Sequence, residues 1–186
     1  MEAIRLKLFF ISDIHGSLFF LKKALEKFEE ECADYIIILG DALYHGPRND
    51  LPEDYNPKEV VKILNEYKEK IIAVRGNCDC EVDQMIIEYP MMSDYNIILY
   101  KNRRIFLTHG HIFNEEKMPI LSKGDIFIYG HTHIPCIKDN NGIKIINPGS
   151  ISIPKGGYKN SYGVLKNDIF TIKDFSGNII IQNNIL

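Results

Sequence analysis

The chain has 186 residues, 45% hydrophobic and 25% charged, a composition that buries a core and excludes intrinsic disorder. A formal net charge of −3 with no basic stripe gives nucleic-acid polymers and membrane surfaces little electrostatic attraction, so a small soluble substrate fits better. No apolar run reaches membrane-spanning length, the first five residues carry no leader pattern, and the four cysteines (Cys32, Cys78, Cys80 and Cys136) match neither a disulfide framework nor a zinc clip; a cytoplasmic protein with reduced thiols is expected.

Residues 6–16 form an apolar run that drives into Asp13-x-His15 and Gly16. The run reads as a buried strand, and an extended chain would point Asp13 and His15 the same way. Ser17 is a candidate N-cap for a helix whose buried stripe is Leu18, Leu21, Leu25, Phe28 and Cys32, with Phe19 and Phe20 packing at its start. A second strand over 35–40 ends at Asp41. A loop over 42–55, broken by Pro47 and Pro52, leads to Asn56-Pro57-Lys58-Glu59, which combines an N-cap, a first-turn proline and an acid three residues after the cap. Val60, Ile63, Leu64 and Tyr67 mark the inner face of that helix. A third strand over 70–76 ends at Asn77. This β-α-β-α-β order predicts parallel strands with right-handed crossovers.

The second half reads differently. Hairpins are expected over 97–108 and 136–146, and short strands over 162–166, 169–174 and 179–182, which together suggest an antiparallel meander. Within it, one strand ends at His109 and another, over 125–130, ends at His131-Thr132-His133. No repeat or linker marks a boundary, so residues 1–186 read as a single domain with two packed sheets and helices outside. The apolar residues of 85–98 suit either core or a subunit contact, which allows a homo-oligomer.

Five strands thus end at Asp, Asn or His, and the carboxyl ends of strands in open α/β sheets are where ligands bind. Asp13, His15, Asp41, Asn77, His109, His131 and His133 would converge on one rim. All six histidines lie close to a glycine rather than on helices, which favours ligation or catalysis over a packed imidazole. An Asp/Asn/His set without thiolate suits Mn²⁺, Fe²⁺, Co²⁺, Ni²⁺ or Zn²⁺. Seven donors exceed the needs of one ion. Two ions sharing a carboxylate, roughly 3.5–4 Å apart, would acidify a shared water and clamp an in-line displacement at phosphorus.

Asp13-x-His15, Gly40-Asp41, Gly76-Asn77, His109 and Gly130-His131-x-His133 resemble the five motifs of the calcineurin-like metallophosphoesterases. The stretches 45–49, 75–79, 147–150 and 152–157 are similar to the bacterial YfcE-type phosphodiesterases within that superfamily. The resemblance implies a four-layer αββα sandwich of two mixed sheets. It implies that Asp13, His15 and His133 hold one metal, that Asn77, His109 and His131 hold the other, and that Asp41 bridges them. Mn²⁺ is the expected ion, and a dinuclear phosphodiesterase acting on a small diester the expected activity, with Asp41, Asn77 and His109 catalytic.

Two departures narrow the expectation. Many members carry histidine after the third-motif asparagine, near the leaving group; this chain has Cys78, a weak proton donor. Related phosphatases place an arginine after the second strand to contact phosphate; here His45 or Arg48 takes that place, Asp79 supports the ligands, and His111 either orients His109 or reaches substrate. Asn147, Gly149 and Lys155 suit either the cleft wall or a turn. Two alternatives stand beside the diesterase: a protein-interaction scaffold of the same fold, as in a retromer subunit, which would not need all seven donors; and a hydrolase of monoesters or dinucleoside polyphosphates.

Overall fold

A computed structural model describes residues 6–186. The leaderless start read from residues 1–5 lies outside the described residues.

The first sheet contains β1 (Leu8–Ile11), β2 (Tyr35–Ile38), β3 (Ile71–Ala73), β9 (Ser161–Lys166), β10 (Ile169–Asp174) and β11 (Ile179–Asn184), in the order β11-β10-β9-β1-β2-β3. The second contains β4 (Tyr95–Tyr100), β5 (Arg103–Thr108), β6 (Ile126–Ile128), β7 (Cys136–Asn140) and β8 (Ile143–Asn147), in the order β4-β5-β6-β8-β7. In the first, β1, β2 and β3 are parallel and β9, β10 and β11 antiparallel.

The strands sort their side chains by period two. Leu8, Phe10, Ile37 and Leu39 meet Ile105, Leu107, Ile126, Ile128 and Ile146 between the sheets. Phe9, Ile11, Ile36 and Ile38 face the other way, onto α1 (Leu18–Glu30) and α2 (Pro57–Glu66). On the outer face of the second sheet, Phe106, Phe127, Tyr129 and Ile145 are covered by Phe113, Met118 and Leu121 from the irregular segment 110–124. The architecture is two face-packed mixed sheets, as expected; helices cover the first, whereas the irregular segment 110–124 stands on the outer face of the second where a helical layer was expected.

The helix starts match their sequence signals. The Ser17 hydroxyl accepts the Phe20 N–H at 3.3 Å, and the Asn56 side chain accepts the Glu59 N–H at 3.4 Å. Cys32 is a correction. α1 stops at Glu30, and Cys32 lies beyond it, exposed, in a left-handed turn with φ 49°. Apolar spacing therefore overran the helix by half a turn. The region 85–98 divides: Ile87, Tyr89 and Met91 are core, whereas Met85 and Ile86 are exposed.

The second half is not a simple meander. β5, β6 and β8 pair in parallel, with Leu107, Ile128 and Ile146 in register. The 17 residues 109–125 between β5 and β6 suffice for a crossover without a helix. Each sheet therefore has its own parallel core, and the carboxyl ends of both cores lie at one end of the molecule.

Candidate metal centre

The ladders continue past the strands and carry the donors into place. The Asp13 N–H donates to the Gly40 carbonyl (3.1 Å), the His15 N–H to Asp41 (2.9 Å) and the Gly130 N–H to His109 (2.8 Å). The sheets are tied across by Ile151 N–H on the Ser12 carbonyl, 3.1 Å. Asp13 and His15 do not align through an extended strand as expected. β1 ends at Ile11, and Asp13 (φ 56°) and His15 (φ 49°) are both left-handed. Asp41, His131 and His133 share this conformation, with φ 55°, 64° and 60°. Each such non-glycine residue costs roughly 1–3 kcal/mol, and strain so concentrated marks a functional site. Close approach also fixes Gly76: a Cβ there would stand 2.0 Å from Asp41 Oδ1.

The imidazoles are oriented by main-chain carbonyls. His15 Nδ1 faces the Tyr44 carbonyl at 2.8 Å, His109 Nδ1 faces Leu39 at 2.6 Å, and His133 Nδ1 faces Ile153. A carbonyl only accepts, so these nitrogens carry protons and the three Nε2 atoms are the ones left facing inward, where a cation can take the place of a proton. His109 is thus oriented by Leu39 and not by His111.

Two groups of donors result. His15 Nε2 and His133 Nε2 are 3.4 Å apart, and Asp13 Oδ1 is 3.7 Å from the first and 3.1 Å from the second. His109 Nε2 stands 3.1 Å from Asn77 Oδ1 and 3.2 Å from His131 Nδ1. Asp41 Oδ2 lies between the groups, 3.7 Å from His15 Nε2 and 3.4 Å from His109 Nε2. All seven sequence-predicted donors are therefore brought together.

The donor set fits divalent cations. Ligands bound at about 2.1 Å around one ion stand about 3.0–3.5 Å from each other; the neighbouring donors here stand 3.1–3.7 Å apart. Facing lone pairs repel unless a cation lies between them. Asp13 Oδ1 is buried and accepts no hydrogen bond, while Oδ2 is satisfied by the Ser12 hydroxyl (2.6 Å) and the His131 N–H (3.1 Å). Such an atom is otherwise costly. The local field agrees. Burial would lower the His109 imidazole, but the Asp41 and Asp13 carboxylates outweigh it and hold it at about 9. Burial would raise Asp13, but His133, His109 and His15 outweigh it and hold its carboxyl far below the usual range.

Asp79 supports the centre from behind. Its carboxylate accepts the N–H groups of Asp41 (2.8 Å), Ala42 (2.8 Å) and Gly76 (2.7 Å). Burial and the Asp41 carboxylate raise it to about 6 against those three donors. Asp41 Oδ1 in turn accepts the Cys78 N–H at 2.8 Å.

Arg48, Asn49, Cys78 and Lys155 line a cleft of about 310 Å³ in front of the donors. Burial and Asp41 push the Cys78 thiol up to about 12. His45 is not on that wall; its ring stands between Tyr44 and Tyr55, with centroids at 4.8 and 5.3 Å. His111 lies 5.4 Å from the His109 ring and opens, with His131, Thr132 and Glu115, onto a neighbouring groove. Asn147 and Gly149 serve the backbone: the Asn147 amide donates to the Gly130 carbonyl, 2.7 Å, and accepts the Gly149 N–H, 2.8 Å.

Ser12, Ser150 and Ser152 escape sequence reasoning. The last two hydroxyls donate to the Asp13 carbonyl at 3.0 and 2.7 Å and fix its left-handed backbone. Their clustering in Asn147-Pro-Gly-Ser-Ile-Ser152, just after the histidine pair, was the available signal.

Two mixed sheets with buried carboxylates and inward imidazoles at their strand ends define a metal-dependent phosphoesterase. The chain belongs to the calcineurin-like phosphoesterase superfamily, whose domain model matches residues 6–168. It is similar to the phosphodiesterase YfcE of Escherichia coli K12, 50% identical over 167 residues that cover 90% of this chain and 91% of that protein. The solved structure of the E. coli phosphoesterase matches with a TM-score of 0.96 at 49% identity, over 97% of this chain and all of that one. A phosphodiesterase of Methanocaldococcus jannaschii is 29% identical over 151 residues, 77% of this chain and 83% of that protein. Vps29 of Cryptosporidium parvum, at 16% identity and a TM-score of 0.64, over 98% of this chain and 100% of that one, shares the fold alone.

Proposed function

We propose that this chain, read as one domain over residues 1–186, is a dinuclear metal-dependent phosphodiesterase for small diesters. The observation that carries the reading is Asp41 Oδ2, set between His15 Nε2 and His109 Nε2 at 3.7 and 3.4 Å with a complete donor group on either side. Asp13, His15 and His133 would hold one ion, Asn77, His109 and His131 the other, and Asp41 both. Mn²⁺ is the ion proposed, with Fe²⁺, Co²⁺, Ni²⁺ and Zn²⁺ as chemically matched substitutes. Divalent cations held there supply Lewis acidity toward water and the phosphoryl oxygens.

The chain's own groups do the rest. The Nδ1 protons parked on Tyr44, Leu39 and Ile153 hold the rings in one tautomer. Arg48 and Lys155 bring positive charge to the open side of the cleft, where a phosphoryl group would lie. Cys78, inside the cleft, offers no acid matched to an alkoxide at neutral pH, so substrates with leaving groups stable as anions are favoured. No helix among the described residues is long and apolar enough to cross a membrane, and the four cysteines stand free. The thiols fit a reducing compartment such as the cytoplasm.

The reading is tested by assaying aryl phosphodiesters, aryl monoesters and alkyl monoesters with each divalent metal. Metal-dependent turnover of the diesters, highest with Mn²⁺, is expected. Metal-independent turnover, or none on any diester with Asp41 intact, would overturn it.

A further inference from the structure

Among the described residues, Cys78 alone of the cysteines belongs to a group of donors close enough to share an ion. Its Sγ, a ring nitrogen of His15 and a carboxylate oxygen of Asp41 lie within 4.8 Å of one another. His15 and Asp41 are buried, whereas the thiol is half-buried and lines the cleft with them. A sulfur donor therefore stands beside a centre otherwise built from nitrogen and oxygen.

The sulfur is held in position. The Cys78 N–H donates to Asp41 Oδ1 at 2.8 Å, which fixes its backbone to the centre. The Asn77 amide donates to Sγ at 3.2 Å, while the Oδ1 of the same amide faces His109 Nε2 at 3.1 Å. Gly46, at φ 78°, packs behind the thiol: a Cβ there would stand 3.2 Å from Sγ. An N–H aimed at sulfur favours the thiolate and tunes a metal bound to it. In a tetrahedral site with bonds of about 2.3 Å to sulfur and about 2.1 Å to nitrogen and oxygen, the sulfur lies about 3.6 Å from the other donors. Closure of about 1.2 Å at most brings Cys78, His15 and Asp41 to that spacing.

The ions that suit this group differ from Mn²⁺. Thiolate selects Zn²⁺ and similar thiophilic ions, whereas Mn²⁺ is matched to oxygen and imidazole. Resting on the metal-centre reading above, we propose that Cys78 is a conditional ligand: with Zn²⁺ it joins His15 and Asp41 as a thiolate, and with Mn²⁺ it stands off. Cys78 then determines which ion the centre retains. Coordination forms the metal–sulfur bond, breaks the S–H bond and releases that proton to solvent, with no change of oxidation state. A cysteine that served packing alone would support both ions equally.

The test reads the metal–sulfur bond directly, with Co²⁺ as a coloured stand-in for Zn²⁺. Full-length protein is freed of metal by chelation, reloaded with Co²⁺ and followed by absorbance. Wild type should show a sulfur-to-cobalt charge-transfer band in the near ultraviolet together with visible ligand-field bands. Cys78→Ser should lose the first and keep the second, and Cys80→Ser, at an exposed position, should keep both. In calorimetric titrations Cys78→Ser should weaken Zn²⁺ at least about tenfold, the scale for losing a group that supports a metal, and leave Mn²⁺ within about threefold. Far-UV circular dichroism checks that each variant is folded, and the wild-type spectrum stands whether or not they are. Cobalt-loaded wild type without the charge-transfer band, a band that disappears in Cys80→Ser instead, or equal weakening of Zn²⁺ and Mn²⁺ in Cys78→Ser would overturn the assignment. If neither Co²⁺ nor Mn²⁺ binds wild type, the metal-centre reading itself fails and this inference falls with it.

Discussion

His15 Nε2 and His133 Nε2 face each other at 3.4 Å while both Nδ1 atoms are held on main-chain carbonyls. Two lone pairs at that separation repel, so a cation between them relieves a cost built into the fold. Mn²⁺ should therefore stabilise the folded chain. At a free concentration one hundred times its dissociation constant, one site contributes about 2.7 kcal/mol. For a chain of this size that raises Tm by roughly 5–10 °C. Scanning calorimetry with Mn²⁺, and again after chelation, measures the shift. Metal analysis of the reloaded protein should give two ions per chain. A plateau at one, unchanged in Asn77→Ala, contradicts the dinuclear assignment.

Asp41 and Asp79 should separate in their effects. Asp41→Asn keeps an oxygen for the Cys78 N–H but removes the charge between His15 and His109. The fold should persist by far-UV circular dichroism, while kcat falls by about a thousandfold, the kinetic equivalent of several kcal/mol at a metal-assisted step. His133→Ala should behave similarly. Asp79→Ala instead strands three buried N–H donors, at Asp41, Ala42 and Gly76, each costing about 1–3 kcal/mol. Its first signature should be lower stability and weaker metal binding. Near-normal kcat in metal-saturated Asp41→Asn protein would refute the bridging role.

The convergence of the donors was legible in the sequence because it follows from periodicity. Apolar runs that stop at Asp13, Asp41, Asn77, His109 and His131 already mark strand ends with a donor at each. The manner of convergence was not. The left-handed backbone at Asp13 is held by tertiary hydrogen bonds to its carbonyl from Ser150 and Ser152, some 137 and 139 residues away in sequence, and that at His15 by its N–H on the Asp41 carbonyl, none of which a local pattern encodes. The parallel pairing of β5, β6 and β8 was hidden for a similar reason: the crossover between β5 and β6 has no helical repeat to reveal it. His45 was misplaced from the cleft wall because chain distance from Asp41 does not specify on which side of the loop its ring falls.

Asp125 gives a pH prediction remote from the metal ligands. It precedes β6, the strand that delivers His131, and accepts the Ser122 N–H (2.9 Å), the Arg104 N–H (3.1 Å) and Arg104 Nε (3.0 Å). Burial would raise its carboxyl, but Arg104 and these donors outweigh burial and hold it below the ordinary 3.8. A lowered folded-state value means the stabilisation is present above pH 3.8 and is lost as pH falls through the folded value. Asp125→Asn should cost about 1.5–3 kcal/mol at pH 7, the range for hydrogen bonds to a charged group. The gap from wild type should close as pH drops below about 4. Urea melts at pH 7, 5 and 3 measure this, and a gap that stays constant across them would exclude the ionised pair as its source.

Cys78 sets the last expectation, a preference for diesters with good leaving groups. Its Sγ accepts from the Asn77 amide at 3.2 Å and lies in the cleft, where a proton donor would be useful. A thiol, with a reference pKa near 8.5, protonates a departing alkoxide poorly at neutral pH. An aryl oxide departs without that help, so rates should fall steeply as leaving-group pKa rises. Cys78→His places an imidazole at the same position. It should flatten the dependence and raise kcat/KM for alkyl esters and monoesters by about 100-fold, the lower end of what one positioned general acid supplies. The measurement is kcat/KM across a series of aryl and alkyl esters for wild type and variant, with metal saturation checked in each. Wild-type protein that cleaves alkyl monoesters as fast as aryl diesters would show that Cys78 does not limit the substrate range. An unchanged slope in a folded, metal-loaded Cys78→His variant would show that the imidazole at this position does not reach the departing oxygen.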